Sequence, residues 1–533
     1  MPSPRWTAKR RPILRRRRSD TFTDHSFRDL PAMTDSDSWN FAPRSRADTI
    51  AALTTETWDL VVIGGGATGL GTAMDAASRG YRTLLLEGRD FAKATSSRST
   101  KLIHGGVRYL RQGNLSLVRE SLRERELLLA LAPKLVRPLE FVIPATSWLG
   151  TAFYATGLKA YDFLAGSIPG RRSRMLGSEA ISQRFPTLKF DHYAGGGVAY
   201  HDAQFDDARL AIAILKVAIA HGAFALNDFP VTSILKDSGR ISGVVARDED
   251  TSREYQIRAK SVINATGIFT DSIREMDDCQ AKPILRQSQG AHIVVDRAHF
   301  PAHSAVIVPE TDDGRVLFFI PWHDKVLIGT TDVPVDGPEL EPRPGDAEVD
   351  YLLDYSHRYL ATPLERSEIR SSWAGLRPLV STGDSRSTSK ISRDHHLEVS
   401  DSGLITIAGG KWTTFRTMGE DAVNRAISVG GLAPKPCCSD TVSFPVSELD
   451  SAAAWDEFPQ SVVWKCVHEE FARTVEDVLA RRSRVLFLDA KRAIKLAPQV
   501  AQTMAPLLEK SSDWIEAQIS EFTKLAQRFL PAE

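Results

Sequence analysis

A chain of 533 residues, 42% of them hydrophobic and 25% charged, has room for roughly two to four domains with sizeable cores. Its 67 basic and 67 acidic residues cancel, so the charge balance points to no nucleic-acid partner. Four cysteines (Cys279, Cys437, Cys438, Cys466) without a CxxC pair exclude a disulfide scaffold and a cysteine-ligated zinc or iron–sulfur centre, and no apolar run is long enough to span a bilayer.

Residues 1–57 are rich in Arg, Ser, Asp, Thr and Pro and lack apolar periodicity, which predicts a disordered basic leader. Arg5, Lys9, Arg10, Arg11 and Arg15 to Arg18 lie in its first twenty positions, leaving the body mildly acidic. Met33 is a candidate true start; the alternative is that the Arg-rich run is a mitochondrial transit peptide. Order is expected from Trp58. WDLVVIGGG is a buried strand ending in glycines, a helix follows over Ala67 to Arg79, Gly80 ends it, and a second strand runs from Tyr81 to Leu86. The middle of the chain mixes strands (262–267, 291–296, 315–322, 325–332) with a helix over Asp207 to Ala220 and a Pro- and Gly-rich loop at 334–345. Beyond a loop near 433–439, residues 461–480, 490–505 and 512–530 read as amphipathic helices, so a C-terminal helical domain is expected over 455–533.

Gly64, Gly66 and Gly69 form GxGxxG between a strand and a helix, the context a dinucleotide site requires. The glycines let a pyrophosphate approach the positive end of the helix. Glu87, at the end of the second strand, accepts ribose hydroxyls and repels a 2′-phosphate, which favours FAD or NAD over NADP.

ATSSRSTKLIHGGVRYLR (94–111), AHIVVD (291–296), IPWHDKVLIGTTD (320–332), AGLRPL (374–379), ISRD (391–394) and AGGKWTTFR (408–416) together resemble the FAD-dependent, aerobic, quinone-linked glycerol-3-phosphate dehydrogenases. EDVLARRSRVLFLDA (476–490) resembles that family's last domain, and the resemblance covers roughly residues 58–533. It implies an α/β fold: a glutathione-reductase-type Rossmann FAD domain interleaved with a mixed-sheet substrate domain over 58–435, the substrate parts near 140–195 and 280–395, followed by the helical domain. It also implies FAD as cofactor, held by Gly64, Gly66, Gly69, Glu87, Ser96, Ser97, Lys101, His104, Gly105 and Gly106, by Ala265 and Gly267 on the adenine side, and by Gly410 and Thr413 near the flavin ring.

The implied substrate, glycerol 3-phosphate, is a dianion with a secondary alcohol. Guanidinium forks suit its phosphate, and the resemblance assigns Arg108, Arg377 and Lys411 to it, with Tyr109 adding a hydroxyl. His292 is the implied base, imidazole titrating near neutrality, and Arg393 orients the alcohol. Gln289 departs from the family's Lys at that point, which is expected to lower the charge of the pocket. Alternatives are a glycerol-3-phosphate oxidase using oxygen, and a non-catalytic FAD-binding protein. The implied partners are a quinone and a membrane surface met from one side, at the cytoplasmic face of the cell membrane, or in mitochondria if the leader is a transit peptide. Ser147 to Leu176, with Trp148, Phe153, Tyr154 and Tyr161 ahead of Arg171, Arg172 and Arg174, is the candidate membrane contact; the alternative is that the aromatics are core and the arginines a solvated turn. A homodimer is left open.

Overall fold

The computed structural model describes residues 43–106, 114–165, 172–309, 311–312, 315–381, 394–445 and 457–531. Trp58–Ile63 (β1), Ala67–Ser78 (α1) and Thr83–Leu86 (β2) make the first β–α–β unit. The chain continues through Leu115–Leu131 (α2), Val136–Pro144 (β3), Trp148–Ala165 (α3), Gly197–Phe205 (β4), Asp207–Ala220 (α4), Phe224–Leu226 (β5) and Glu254–Asn264 (β6). Then come Leu285–Asp296 (β7), Ala305–Val308 (β8), Leu317–Trp322 (β9), Lys325–Gly329 (β10), Val333–Val335 (β11) and Ser371–Val380 (β12). His395–Val399 (β13), Ile405–Gly409 (β14) and Phe415–Val429 (α5) precede the last helices, Gln460–His468 (α6), Ala490–Leu507 (α7) and Ser512–Gln527 (α8).

The first sheet has the order β13–β14–β6–β1–β2–β5, parallel except at β13. Its central strand β1 is buried along almost its whole length, as a parallel strand covered on both faces must be. Helix α1 packs between α4 and α5 and is buried at nearly every position, which is why its sequence is Ala- and Gly-rich rather than striped. The second sheet is mixed: β11–β7–β10–β9–β8–β3–β4, with β12 also paired antiparallel to β7 over ten residues. Its strands come from both the 102–205 and the 285–380 stretches, so the chain crosses between the two sheets repeatedly.

The C-terminal helices pack on the second sheet and share one apolar cluster with it, which includes Leu139, Phe141, Trp322, Trp373, Phe487, Val500 and Phe529. Backbone bonds tie the two: Ser372 N–H to the Phe529 carbonyl at 2.6 Å and Ala490 N–H to that of Arg370 at 3.0 Å. Buried ion pairs tie the same segment to α4 and the loop after β2: Arg209 to Glu470, Arg482 to Asp90, and Arg484 to Asp206.

Two sequence expectations need correcting. The leader is not structureless to residue 57: Arg46–Ala52 is helical, capped by Ser45, whose hydroxyl accepts from Asp48 N–H. Leu53 is fully buried behind it, and Arg46 pairs with Asp248. A seven-residue helix is too short to show a period. The helix expected over 461–480 is broken, α6 ending at His468 and Asp477–Arg482 forming a π-helical turn. That wider turn coincides with Arg481 and Arg482 both reaching Asp90.

Candidate active site

The loop between β1 and α1 is fixed by close packing. A Cβ on Gly69 would lie 1.8 Å from the Gly64 carbonyl oxygen, so only glycine lets α1 sit this close to the strand end. Gly66 is the N-cap and offers no side-chain acceptor, and the first turn of α1 holds no acid. Ser96 Oγ accepts from Ala67 N–H at 2.9 Å. Glu87 accepts from Gly65 N–H at 2.6 Å and Arg89 N–H at 2.8 Å, each oxygen keeping a second lone pair for a ribose hydroxyl. Ala265 closes the loop from β6, its carbonyl against Gly64, and Gly267 opens the 3-10 turn that follows. A positive, acid-free helix end beside a carboxylate fits a dinucleotide such as FAD.

A second group lies at the start of α5. Thr413 Oγ1 bonds both the amide and the carbonyl of His104 at 3.4 Å, and Gly410 precedes it. Gly105 is buried against Tyr161 and Leu122, its N–H donating to the Tyr161 hydroxyl at 3.0 Å, and Gly106 follows. Lys411 Nζ donates to Ser121 Oγ on α2 at 3.1 Å. Arg108, Tyr109 and Arg393 lie outside the described residues.

The third group is on the second sheet. His292, on β7, is buried between Thr100 and Trp373: Thr100 Oγ1 stands 3.0 Å from Nε2, and the Trp373 ring stacks on the imidazole at 4.2 Å. Nδ1 is buried with no hydrogen-bond partner among the described residues. Burial first, then the charges of Arg377 and Lys101, hold the imidazole well below its ordinary pKa of 6.5, so it is neutral at pH 7. Arg377, from β12, crosses over Gly290, where a Cβ would sit 2.2 Å from its Nη2. Asp332 pairs with it at 3.2 Å, and Thr330 Oγ1 accepts from it at 3.0 Å.

One segment connects the groups. Ser96 touches the first turn of α1 and Thr100, four residues on, touches His292. Four residues span at most about 14 Å. Thr95 Oγ1 also donates to the Leu376 carbonyl at 2.7 Å, and Trp412 Nε1 to that of Ser96 at 2.9 Å.

Three assignments change. Lys101 is not placed to touch a cofactor with its side chain: its ammonium is buried, bonded to both Asp207 oxygens at 2.8 Å and the Ser97 carbonyl at 2.6 Å, inside a cage of Trp322, Trp373 and Phe487. It braces the loop from behind. Ser97 is likewise buried, its hydroxyl turned to the Lys93 carbonyl. Gln289 faces away from His292, bonding Glu348 at 2.6 Å, so its departure from Lys does not alter the charge beside the base. Thr100, Trp373 and Asp332 were missed. Thr100 and Asp332 lie inside quoted motifs, but spacing carries no sign of which way they face.

These three groups define an FAD-dependent oxidoreductase, and the profile of the family described as FAD dependent oxidoreductase matches residues 59–416. The profile described as the C-terminal domain of alpha-glycerophosphate oxidase matches residues 450–514. The mitochondrial glycerol-3-phosphate dehydrogenase of Rattus norvegicus is 38% identical, over 92% of this chain and 75% of its own. The crystal structure of the glycerol-3-phosphate dehydrogenase from Bacillus halodurans complexed with FAD is 30% identical, covering 92% of this chain and 99% of that one with a TM-score of 0.75. The FAD-bound L-alpha-glycerophosphate oxidase of Mycoplasma pneumoniae, 17% identical and covering 74% of this chain and 100% of that one with a TM-score of 0.56, shares the fold. The chain belongs to the FAD-dependent glycerol-3-phosphate dehydrogenase family. Purified protein is therefore expected to be yellow and to release FAD on denaturation; bound NAD, or no flavin after reconstitution, would contradict this.

Proposed function

We propose that the protein oxidises sn-glycerol 3-phosphate to dihydroxyacetone phosphate and passes the electrons to a membrane quinone. The observation that carries this is the Ser96–Thr100 segment, which joins the phosphate-binding end of α1 to His292 beside Arg377. FAD, when bound, supplies the hydride acceptor. His292, neutral and oriented by Thr100 and Trp373, takes the hydroxyl proton. Arg377 and Lys411 hold the phosphate, with Arg108 and Tyr109 joining them and Arg393 orienting the alcohol on the resemblance. Asp332 keeps the Arg377 fork in position before the dianion arrives.

The test is an assay of the holoenzyme with glycerol 3-phosphate and an artificial acceptor beside an oxygen electrode. Acceptor reduction without comparable oxygen uptake supports the dehydrogenase; oxygen uptake at the same rate supports the oxidase. Arg377→Ala and Lys411→Ala are each expected to lower kcat/KM about tenfold to a hundredfold, since a hydrogen bond to a charged group contributes about 1.5–3 kcal/mol. Unchanged kcat/KM in both would remove them from the phosphate site.

No described helix is long and apolar enough to cross a membrane. Attachment through one face is supported by α3, which exposes Trp148 (69%), Leu149 (63%), Phe153 (63%) and Phe163 (86%). Leu149, Phe153, Thr156, Ala160 and Phe163 recur at helical spacing and form one exposed stripe. One part of the expected contact does not belong to it: Tyr161 is buried against Asp202, whereas Arg174 stays exposed while pairing with Glu140. Arg171 lies outside the described residues, and Arg172 is exposed. Leu149→Ser/Phe153→Ser/Phe163→Ser is expected to abolish flotation with liposomes; equal flotation would exclude this helix. The mitochondrial names of the curated relatives favour the mitochondrial alternative for the membrane concerned.

A further inference from the structure

A cavity of about 650 Å³ opens at the far end of the second sheet, lined by Arg137, Gln204, Arg297, His303, Pro321 and His323 among others. None of these residues belongs to the three groups described above. From His292 to Arg297, the residue that follows β7, the chain runs five residues, about 16 Å at the rise of a strand.

The cations in this cavity are anchored without being neutralised. Arg137 Nη2 donates to Gln204 Oε1 at 3.0 Å, and Gln204 is itself fixed by its amide on the Pro321 carbonyl at 2.7 Å. Arg297 donates to the backbone carbonyls of His323, at 3.2 Å, and Ala302. Neither guanidinium has a carboxylate partner among the described residues. Burial, and after it the like charge of Arg137, pulls Arg297 below its ordinary range, as expected for two cations held near each other with no anion between them. His323 enters from the β9–β10 turn in a left-handed conformation (φ 53°). Its Nε2 is buried with no hydrogen-bond partner among the described residues. The nearest acid, Asp206, stands 3.8 Å from Nε2 and is held at 2.5 Å by Arg484.

A structural arginine is ordinarily answered by a carboxylate; neutral acceptors that hold the fork and leave its charge intact prepare it for an incoming anion. The volume suits a small molecule or headgroup. We propose that this cavity is a second anion site, separate from the catalytic one, that takes a phosphate monoester group.

The test uses holoenzyme carrying Arg377→Gln, so that the proposed substrate site is weakened, and inorganic phosphate followed by isothermal titration. One phosphate is expected to bind, and adding Arg137→Gln/Arg297→Gln is expected to weaken it by at least about tenfold, the effect of losing charged hydrogen bonds. Because Arg137 is exposed, Arg137→Glu alone serves as a second variant that buries no new charge, with the same expectation. A lipid source is separated by co-sedimentation with phosphatidylcholine vesicles with and without phosphatidic acid. An increment from phosphatidic acid that needs Arg137 and Arg297, with no binding of inorganic phosphate, assigns the site to a lipid headgroup. If neither inorganic phosphate binding nor that increment depends on Arg137 and Arg297, the site does not exist. Neither measurement reads turnover, so failure here leaves the proposed reaction standing.

Discussion

His292→Ala slows reduction of the bound flavin by glycerol 3-phosphate about 10²–10⁴-fold, the range a positioned general base supplies, while FAD stays bound. The imidazole meets Thr100 and Trp373, not the Gly64–Gly69 loop, so its loss should leave cofactor retention unchanged. It is neutral for a physical reason: burial, then Arg377 and Lys101, disfavour the imidazolium. A base with a lowered pKa keeps its lone pair into acid. With glycerol 3-phosphate saturating, so that protonation of the free substrate's own phosphate, whose second pKa is about 6, does not enter through binding, the rate of flavin reduction should stay flat as pH falls through 6.5 and decline only well below it. Stopped-flow bleaching measures both effects. Bleaching of the variant at the wild-type rate would take His292 out of the reaction, and a decline centred at 6.5 would show that the ring is not held neutral.

Arg209→Ala is expected to destabilise the protein by about 3–5 kcal/mol, the loss that follows when one partner of a buried ion pair is removed. Arg209 and Glu470 are paired at 2.6 and 2.8 Å, with side chains only 2% and 0% exposed. The alanine leaves a buried carboxylate with Lys216 at 3.9 Å as its nearest other cation. Replacing both partners together, Arg209→Met/Glu470→Leu, removes the stranded charge and should restore much of the loss. Urea unfolding of the holoprotein reads the difference. A change below about 1 kcal/mol for the single variant would place this pair among the screened surface ones.

The first β–α–β unit was legible because each of its signals is local: an apolar strand, glycines at fixed offsets, a carboxylate at the next strand end. Asp207–Ala220 was legible to the residue, since Asp206 caps it and its apolar face is unbroken. What escaped depends on which way a side chain turns in three dimensions. Lys101 and Thr100 are adjacent in one motif, yet one ammonium points back to Asp207 and the other residue's hydroxyl meets His292. Gln289 and His292 lie three apart on one strand, an odd separation that sends their side chains to opposite faces. Tyr161 reads as an interfacial aromatic, but helix α3 turns it inward to Asp202 while Phe153 and Phe163 face outward.

The ionic ties between residues 469–484 and the first half of the chain bear on how the protein is made. Arg209 and Glu470 are 261 residues apart in sequence. At ~5–20 residues per second, a ribosome needs about 13–50 s to travel between them. Throughout that interval the guanidinium on α4 waits for a partner that does not yet exist, and once residue 380 has emerged the apolar face of the second sheet that receives Phe487 and Val500 stays open to water. The nascent chain thus carries an unfinished, adhesive surface until residues 457–531 emerge, which makes that emergence, rather than the completion of the nucleotide-binding half, the moment at which the molecule can close.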